Sequence, residues 1–269
     1  MMQLDPRASA AGVRLVSHEL LASTNTEALT LARAGERGPL WITAGRQSAG
    51  KGRRGRSWVS EPGNLFASLL LTEPAAPEHW PELSFVAALA IHDAIADLAP
   101  SVRPQLAIKW PNDLLLAEAK FAGILIEGEG AETVVVGIGI NCTSHPADTD
   151  YPATDLAAVG VAVSAEAAFS KLSAKMIGRL AQWNQGEHFA TIRTDWLSRA
   201  AGVGGNISVR LPDRELAGLF ETVDEIGQLV LVEPEGTRHA IAAADVVQLE
   251  WPRSSNKQRD GQSDKQREG

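Results

Sequence analysis

The residues best equipped for chemistry in this sequence form one run, Gly50-Lys51-Gly52-Arg53-Arg54-Gly55-Arg56-Ser57-Trp58. Four cationic side chains are interleaved with glycines, and Arg46 stands just upstream, in a chain whose formal net charge is −8. Such a loop in an acidic protein is suited to a local anion. Glycine lets the main chain come close, and guanidinium groups can grip phosphate oxygens in pairs. Trp58 adds a flat apolar face for a base or a ring. Lys109-Trp110-Pro111-Asn112-Asp113 places a cation, an amide and a carboxylate at the end of a strand. Lys120-Phe121-Ala122-Gly123-Ile124-Leu125 follows at hairpin distance. Gly137-Ile138-Gly139-Ile140-Asn141 closes an apolar strand with glycines where a ligand or another backbone can approach.

Plainer readings compete with each of these. Gly45-x-x-x-x-Gly50-Lys51 approximates a P-loop, but Gly52 stands where the magnesium-binding hydroxyl belongs, and no apolar periodicity follows to start a helix. The basic run on its own also fits a solvated turn or an RNA contact. A non-enzymatic RNA-binding protein therefore stays as an alternative, although residues 203–250 carry many acidic side chains against Arg210, Arg214 and Arg238. Six histidines lie scattered without a His-x-x-x-His pair, and Cys142-x-x-His145 alone is too little for a metal site.

The elements that must position these groups follow from periodicity. Strands are expected at 13–20, 40–44, 65–71, 106–110, 120–127 and 133–140. Helices are expected at 84–98, 165–183 and 187–200, and another from Thr24 to Gly35, where Thr24 and Glu27 fit a capping box. After Gly202-Val203-Gly204-Gly205 the pattern becomes five short strands, which suggests a small β-barrel that hides its own edges. The expected organisation is a flexible lead at 1–12, a main domain at 13–202, a small barrel at 203–250 and a disordered tail at 251–269.

Bulk properties narrow the class. A 44% hydrophobic content fits a globular protein with a proper core. No run of about 18 apolar residues is present to span a membrane. Met1 to Glu19 lacks a basic region followed by an apolar one, so no secretion signal is expected. A single cysteine, Cys142, excludes an intrachain disulfide and suits the cytoplasm.

Taken in order and spacing, Ser23-Thr24-Asn25 and the four later motifs resemble the catalytic region of the biotin protein ligases, over about Ser23 to Asn141. The resemblance implies an α+β fold, a mixed sheet with packed helices, followed by a small SH3-like β-barrel. It implies ATP-dependent activation of biotin as biotinyl-5′-AMP, with Mg2+, then transfer to a lysine of the biotin carboxyl carrier protein, an acetyl-CoA carboxylase subunit. Many members carry an N-terminal winged-helix domain that binds DNA. Only 22 residues precede Ser23, so DNA binding is not expected here. Monomer and homodimer both occur in the family, and the sequence favours neither.

Roles follow by the same resemblance. Ser23, Thr24, Asn25, Gln47, Lys51, Gly52, Arg53, Lys120 and Gly123 are expected around biotin. Gly50, Arg53, Arg54, Arg56, Trp58, Asn112, Lys120 and Asn141 are expected around ATP and the adenylate. Lys51 stands where the family usually has arginine, which keeps the charge but loses the fork. Arg53, Lys120 and Asp113 are the candidate catalytic residues, and Asp113 is the candidate metal ligand. A lipoate or octanoate ligase or transferase of the same fold is the enzymatic alternative. Its thioester would fall on Cys142, which directly follows Asn141 on an apolar strand and so suits a buried structural thiol better.

Overall fold

The structure, a computed structural model, describes residues 2–249. A short helix, α1 (Pro6–Ala10), comes first, followed by β1 (Arg14–Leu21), α2 (Thr24–Arg33), β2 (Leu40–Gln47) and β3 (Leu65–Thr72). Helix α3 (Leu83–Leu98) leads into β4 (Leu106–Lys109), β5 (Asp113–Leu116), β6 (Ala119–Glu129) and β7 (Thr133–Ile140), and then α4 (Ala165–Trp183) and α5 (Phe189–Leu197). The seven strands form one mixed sheet in the order β1-β2-β3-β7-β6-β5-β4. Only β1 and β2 run parallel, with α2 as the crossover that parallel pairing requires.

Strand alternation gives this sheet two different faces. Leu65, Ala67, Leu69 and Leu71 of β3, with Val134, Val136, Ile138 and Ile140 of β7, join the main core under α3, α4 and α5. The intervening residues face the other way. There Leu70 and Val135 meet Ala28 of α2 in a small second cluster, and Ser68, Gly137 and Gly139 fall on the same side. Helix α3 is buried on nearly every side because sheet and helices enclose it, where periodicity alone suggests one apolar stripe.

The second sheet comprises β8 (Asn206–Arg210), β9 (Glu215–Val223), β10 (Leu229–Val232), β11 (Arg238–Ile241) and β12 (Asp245–Leu249), all antiparallel, ordered β11-β10-β9-β8-β12. Among the described residues no ladder joins β11 to β12. This small domain is seated on the large one: Trp110 Nε1 donates to the Gly227 carbonyl at 3.1 Å and Arg193 Nη1 to the Val223 carbonyl at 2.9 Å.

Two expectations need correction, and one strand is unexpected. Residues 1–12 are not simply a flexible lead: Asp5 caps α1, its main-chain N–H donates to Ser173 Oγ at 3.0 Å, and Ala8 is buried. Strand β5 has no counterpart in the sequence reading. The cap of α2 is Ser23, which accepts from Thr26 N, while Thr24 is buried and turned to the site. The expected tail at 251–269 lies outside the described residues.

Candidate active site

On the open face of the sheet, between α2 and the small domain, lies a cleft of about 570 Å3, the size of a small-molecule site. Its inner end is polar. Gln47 Oε1 accepts from Thr24 N at 2.8 Å and from Thr24 Oγ1 at 3.2 Å, while Gln47 Nε2 donates to Ser60 Oγ at 2.9 Å. Ser68 Oγ lies 2.7 Å from Thr24 Oγ1 and 2.5 Å from Asn25 Oδ1, and Asn25 Nδ2 donates to Glu127 Oε2 at 2.7 Å. Every member of this chain has a partner, so Thr24 and Asn25 are held in fixed orientation.

The middle of the cleft is flat and apolar. Gly123 and Gly139 pair across β6 and β7, and Trp58 lies on them. A Cβ at Gly139 would stand 2.5 Å from Trp58 Cε2, and one at Gly123 2.9 Å from Cζ3. The indole Nε1 is buried and finds no acceptor among the described residues.

The outer end is cationic. Residues 50–58 fold back on themselves: Trp58 N donates to Gly50 O at 2.9 Å and Gly52 N to Arg56 O at 2.7 Å. Arg53 Nη1 donates to Asn112 Oδ1 at 2.9 Å, and Asn112 Nδ2 to the Ile124 carbonyl at 2.7 Å. Burial pulls the Arg53 guanidinium below its ordinary value, against Asp245 and Asp113, and burial likewise pulls Lys109 down. Lys120 Nζ stands 2.7 Å from Asp113 Oδ1, an ion pair rather than an aligned hydrogen bond.

Most of the expected residues converge here. Ser23, Thr24, Asn25, Gln47, Lys51, Gly52, Arg53, Arg56, Trp58, Asn112, Asp113, Lys120 and Gly123 all line the cleft. Gly50, Arg54 and Asn141 do not line it. Gly50 passes so close to Trp58 O and Ser60 Oγ that no side chain fits, Arg54 turns to Asp245, and Asn141 Nδ2 donates to the Thr154 carbonyl at 3.1 Å. Arg46 is exposed outside it. Asp113, the expected metal ligand, lines the cleft as a single carboxylate. Its carboxylate faces Lys120, and among the described residues no cluster of three or more His, Cys, Asp or Glu side chains is placed to hold an ion. Cys142 is buried away from the cleft, and burial pushes its thiol up to about 12.

Sequence reasoning missed Tyr151, Asp245 and Ser68. The first two come from segments without a motif, and Ser68 has a neighbour's role visible only once β3 is beside α2.

Known proteins share the sequence pattern and the fold. The Biotin/lipoate A/B protein ligase family matches residues 18–141, and the Biotin protein ligase C terminal domain matches residues 203–248. A biotin--[acetyl-CoA-carboxylase] ligase of Paracoccus denitrificans is 42% identical over 234 residues, 83% of this chain and 96% of that relative. One of Mycobacterium tuberculosis is 32% identical over 232 residues, 84% of this chain and 86% of the relative. The biotin protein ligase from Aquifex aeolicus, solved in complex with biotin and ATP, has the same fold. Its TM-score is 0.75 at 24% identity, covering 87% of this chain and 97% of that one. Fold and cleft thus define the class of biotin and lipoate protein ligases. With relatives above 30% identical over most of their length, the chain belongs to the biotin protein ligase family.

Proposed function

We infer that the protein is an ATP-dependent biotin protein ligase, which joins biotin to AMP and passes the biotinyl group to a lysine of a carrier protein. One observation carries this reading. A single cleft joins a fully hydrogen-bonded polar end, a flat floor and a cluster of cations in the order that a ring, an acyl chain and a nucleotide phosphate need.

The physical problem is that two anions must meet. In the first step the biotin carboxylate oxygen attacks the α-phosphorus, and the bond to pyrophosphate breaks. Arg53 and Lys120 bring positive charge to that point from partly buried positions, where it acts more strongly than in water, and the exposed Lys51 and Arg56 add to it. Thr24, Asn25 and Gln47 orient the ring, so the carboxylate reaches the phosphate from one direction. A magnesium ion accompanying ATP would neutralise phosphate charge, and Asp113 is the cleft carboxylate that would help to hold it. In the second step the carrier amine attacks the carbonyl carbon and AMP leaves. Asp113, which lines the cleft beside Lys120, orients that amine and takes its proton once its pair with Lys120 gives way. The acceptor assigned is the biotin carboxyl carrier subunit of acetyl-CoA carboxylase, in the cytoplasm. No protein nucleophile is required, which agrees with the buried Cys142.

Biotin-dependent exchange between ATP and pyrophosphate tests the reading. Lys120→Ala and Arg53→Ala should each lower it by roughly a hundredfold or more. Mass spectrometry of a carrier domain incubated with ATP, magnesium and either biotin or lipoate should show biotin transferred. Transfer of lipoate alone would overturn the assignment.

A further inference from the structure

Beside the cleft stands an aromatic side chain to which neither motif nor resemblance gives a role, Tyr151. Its ring centroid lies 5.0 Å from Lys120 Nζ, on which Trp58 also looks from 5.4 Å. With Asp113 Oδ1 at 2.7 Å, the ammonium sits in a three-sided cage, and the Lys120 side chain is only 15% exposed. The segment carrying Tyr151 is tied to the strand that carries Lys120. Lys120 N donates to Pro152 O at 2.8 Å, Thr154 N donates to Lys120 O at 2.9 Å, and Lys120 and Ala153 form a parallel bridge. Asn141 Nδ2 braces the same segment through the Thr154 carbonyl at 3.1 Å. Lysine is a point charge on a flexible stem, so one carboxylate alone does not fix its direction. Trp58 belongs to the cationic loop, residues 50–58. Tyr151 is the ring whose place does not depend on that loop.

We propose that Tyr151 is a positioning residue: its ring face holds the Lys120 ammonium over the cleft, so that one orientation meets the reacting carboxylate and phosphate. This rests on the biotin-ligase reading. In the full-length protein, single-turnover formation of biotinyl-AMP should fall roughly three- to thirty-fold in Tyr151→Leu, the range of one partly desolvated cation–π contact. Tyr151→Phe, which keeps the ring, should restore most of that loss. In a Lys120→Met background, Tyr151→Leu should cost nothing further, because the charge it acts on is gone. The chain has a single tyrosine, so global incorporation of fluorotyrosine labels this ring alone. Its fluorine resonance should move between the parent protein and Lys120→Met. A parent enzyme that makes biotinyl-AMP while Tyr151→Leu matches it overturns the proposal, as does an equal loss with and without Lys120. An unmoved fluorine resonance overturns it even where Tyr151→Leu fails to fold. A parent protein that makes no biotinyl-AMP instead sinks the enzymatic reading, and the fluorine shift still reports on the contact.

Discussion

Gly139 shows how little room the floor of the cleft leaves. Its missing side chain is the space in which the Trp58 indole lies, and a methyl there would stand 2.5 Å from the ring. The three nearest atoms all belong to the rigid Trp58 indole, so relief requires the whole ring to shift. Gly139→Ala should therefore lift Trp58 from the sheet, cost about 1–3 kcal/mol through overpacking, and reduce pyrophosphate exchange at least tenfold by roughly the loss of one oriented platform. Gly178, inside α4 with nothing within 4 Å of its virtual Cβ, is the matched control. Gly178→Ala should leave exchange unchanged and raise stability by up to about 1 kcal/mol. Equal effects of the two substitutions on exchange would show that the Trp58 platform is not needed.

At the level of elements, an ion cluster locks α3, α4 and α5 together. Arg179 Nε donates to Asp93 Oδ2 at 3.0 Å, Arg179 Nη1 to Asp195 Oδ2 at 2.5 Å, and Arg199 Nη2 approaches Asp93 Oδ1 at 3.5 Å. Burial opposes ionisation of Asp93, but His92, Arg179 and Arg199 prevail and hold its carboxyl at about 2, against an ordinary 3.8. A carboxyl lowered on folding stabilises fully above its unfolded value, and that stabilisation is lost as pH falls through the folded one. Melts between pH 7 and pH 2 should show Asp93→Asn destabilised by about 2 kcal/mol near neutrality, with the gap to the parent closing between about pH 4 and pH 2. A gap independent of pH would assign the loss to packing. The sequence makes the large elements of this layer legible: α4 begins and ends where its periodicity does, and β7 spans its whole apolar run. It does not reveal α1, whose five residues are too few to show a period; Asp5 and Pro6 start the helix locally, and the bond from Asp5 N to Ser173 Oγ docks it on α4. Nor does it reveal β5, where Asp-Leu-Leu-Leu has no alternation and pairs only because β4 and β6 flank it. The site follows the same division. Motif residues announce themselves by spacing, whereas Tyr151, Ser68 and Asp245 gain meaning only from contacts made across the fold.

Across the whole molecule, the small C-terminal sheet reaches the cationic loop through one carboxylate. Asp245, at the start of β12, takes Arg54 Nη1 at 3.1 Å on one oxygen and Arg56 Nη2 at 2.9 Å on the other. Arg54 has φ +56°, a left-handed conformation that a branched-free but bulky side chain adopts only when its surroundings fix it. Asp245 and the Ala243 carbonyl are those surroundings. The anion that balances this loop before any nucleotide arrives is thus supplied by another domain, and the pair spans the mouth of the cleft. Half-exposed ion pairs contribute little to overall stability, roughly 0–1 kcal/mol, so the effect of removing this one should be local. Asp245→Ala should leave the melting temperature nearly unchanged, yet speed tryptic cleavage at Arg53 to Arg56 several-fold in the free protein, since cleavage follows the population of the open loop. Added salt should narrow the difference by screening the pair in the parent protein. Biotin with ATP should return the variant to parental protection, because the phosphates then supply the missing negative charge. Equal cleavage of parent and variant without ligand would mean that the loop keeps its shape unaided, and that the small domain holds it in place by no electrostatic means.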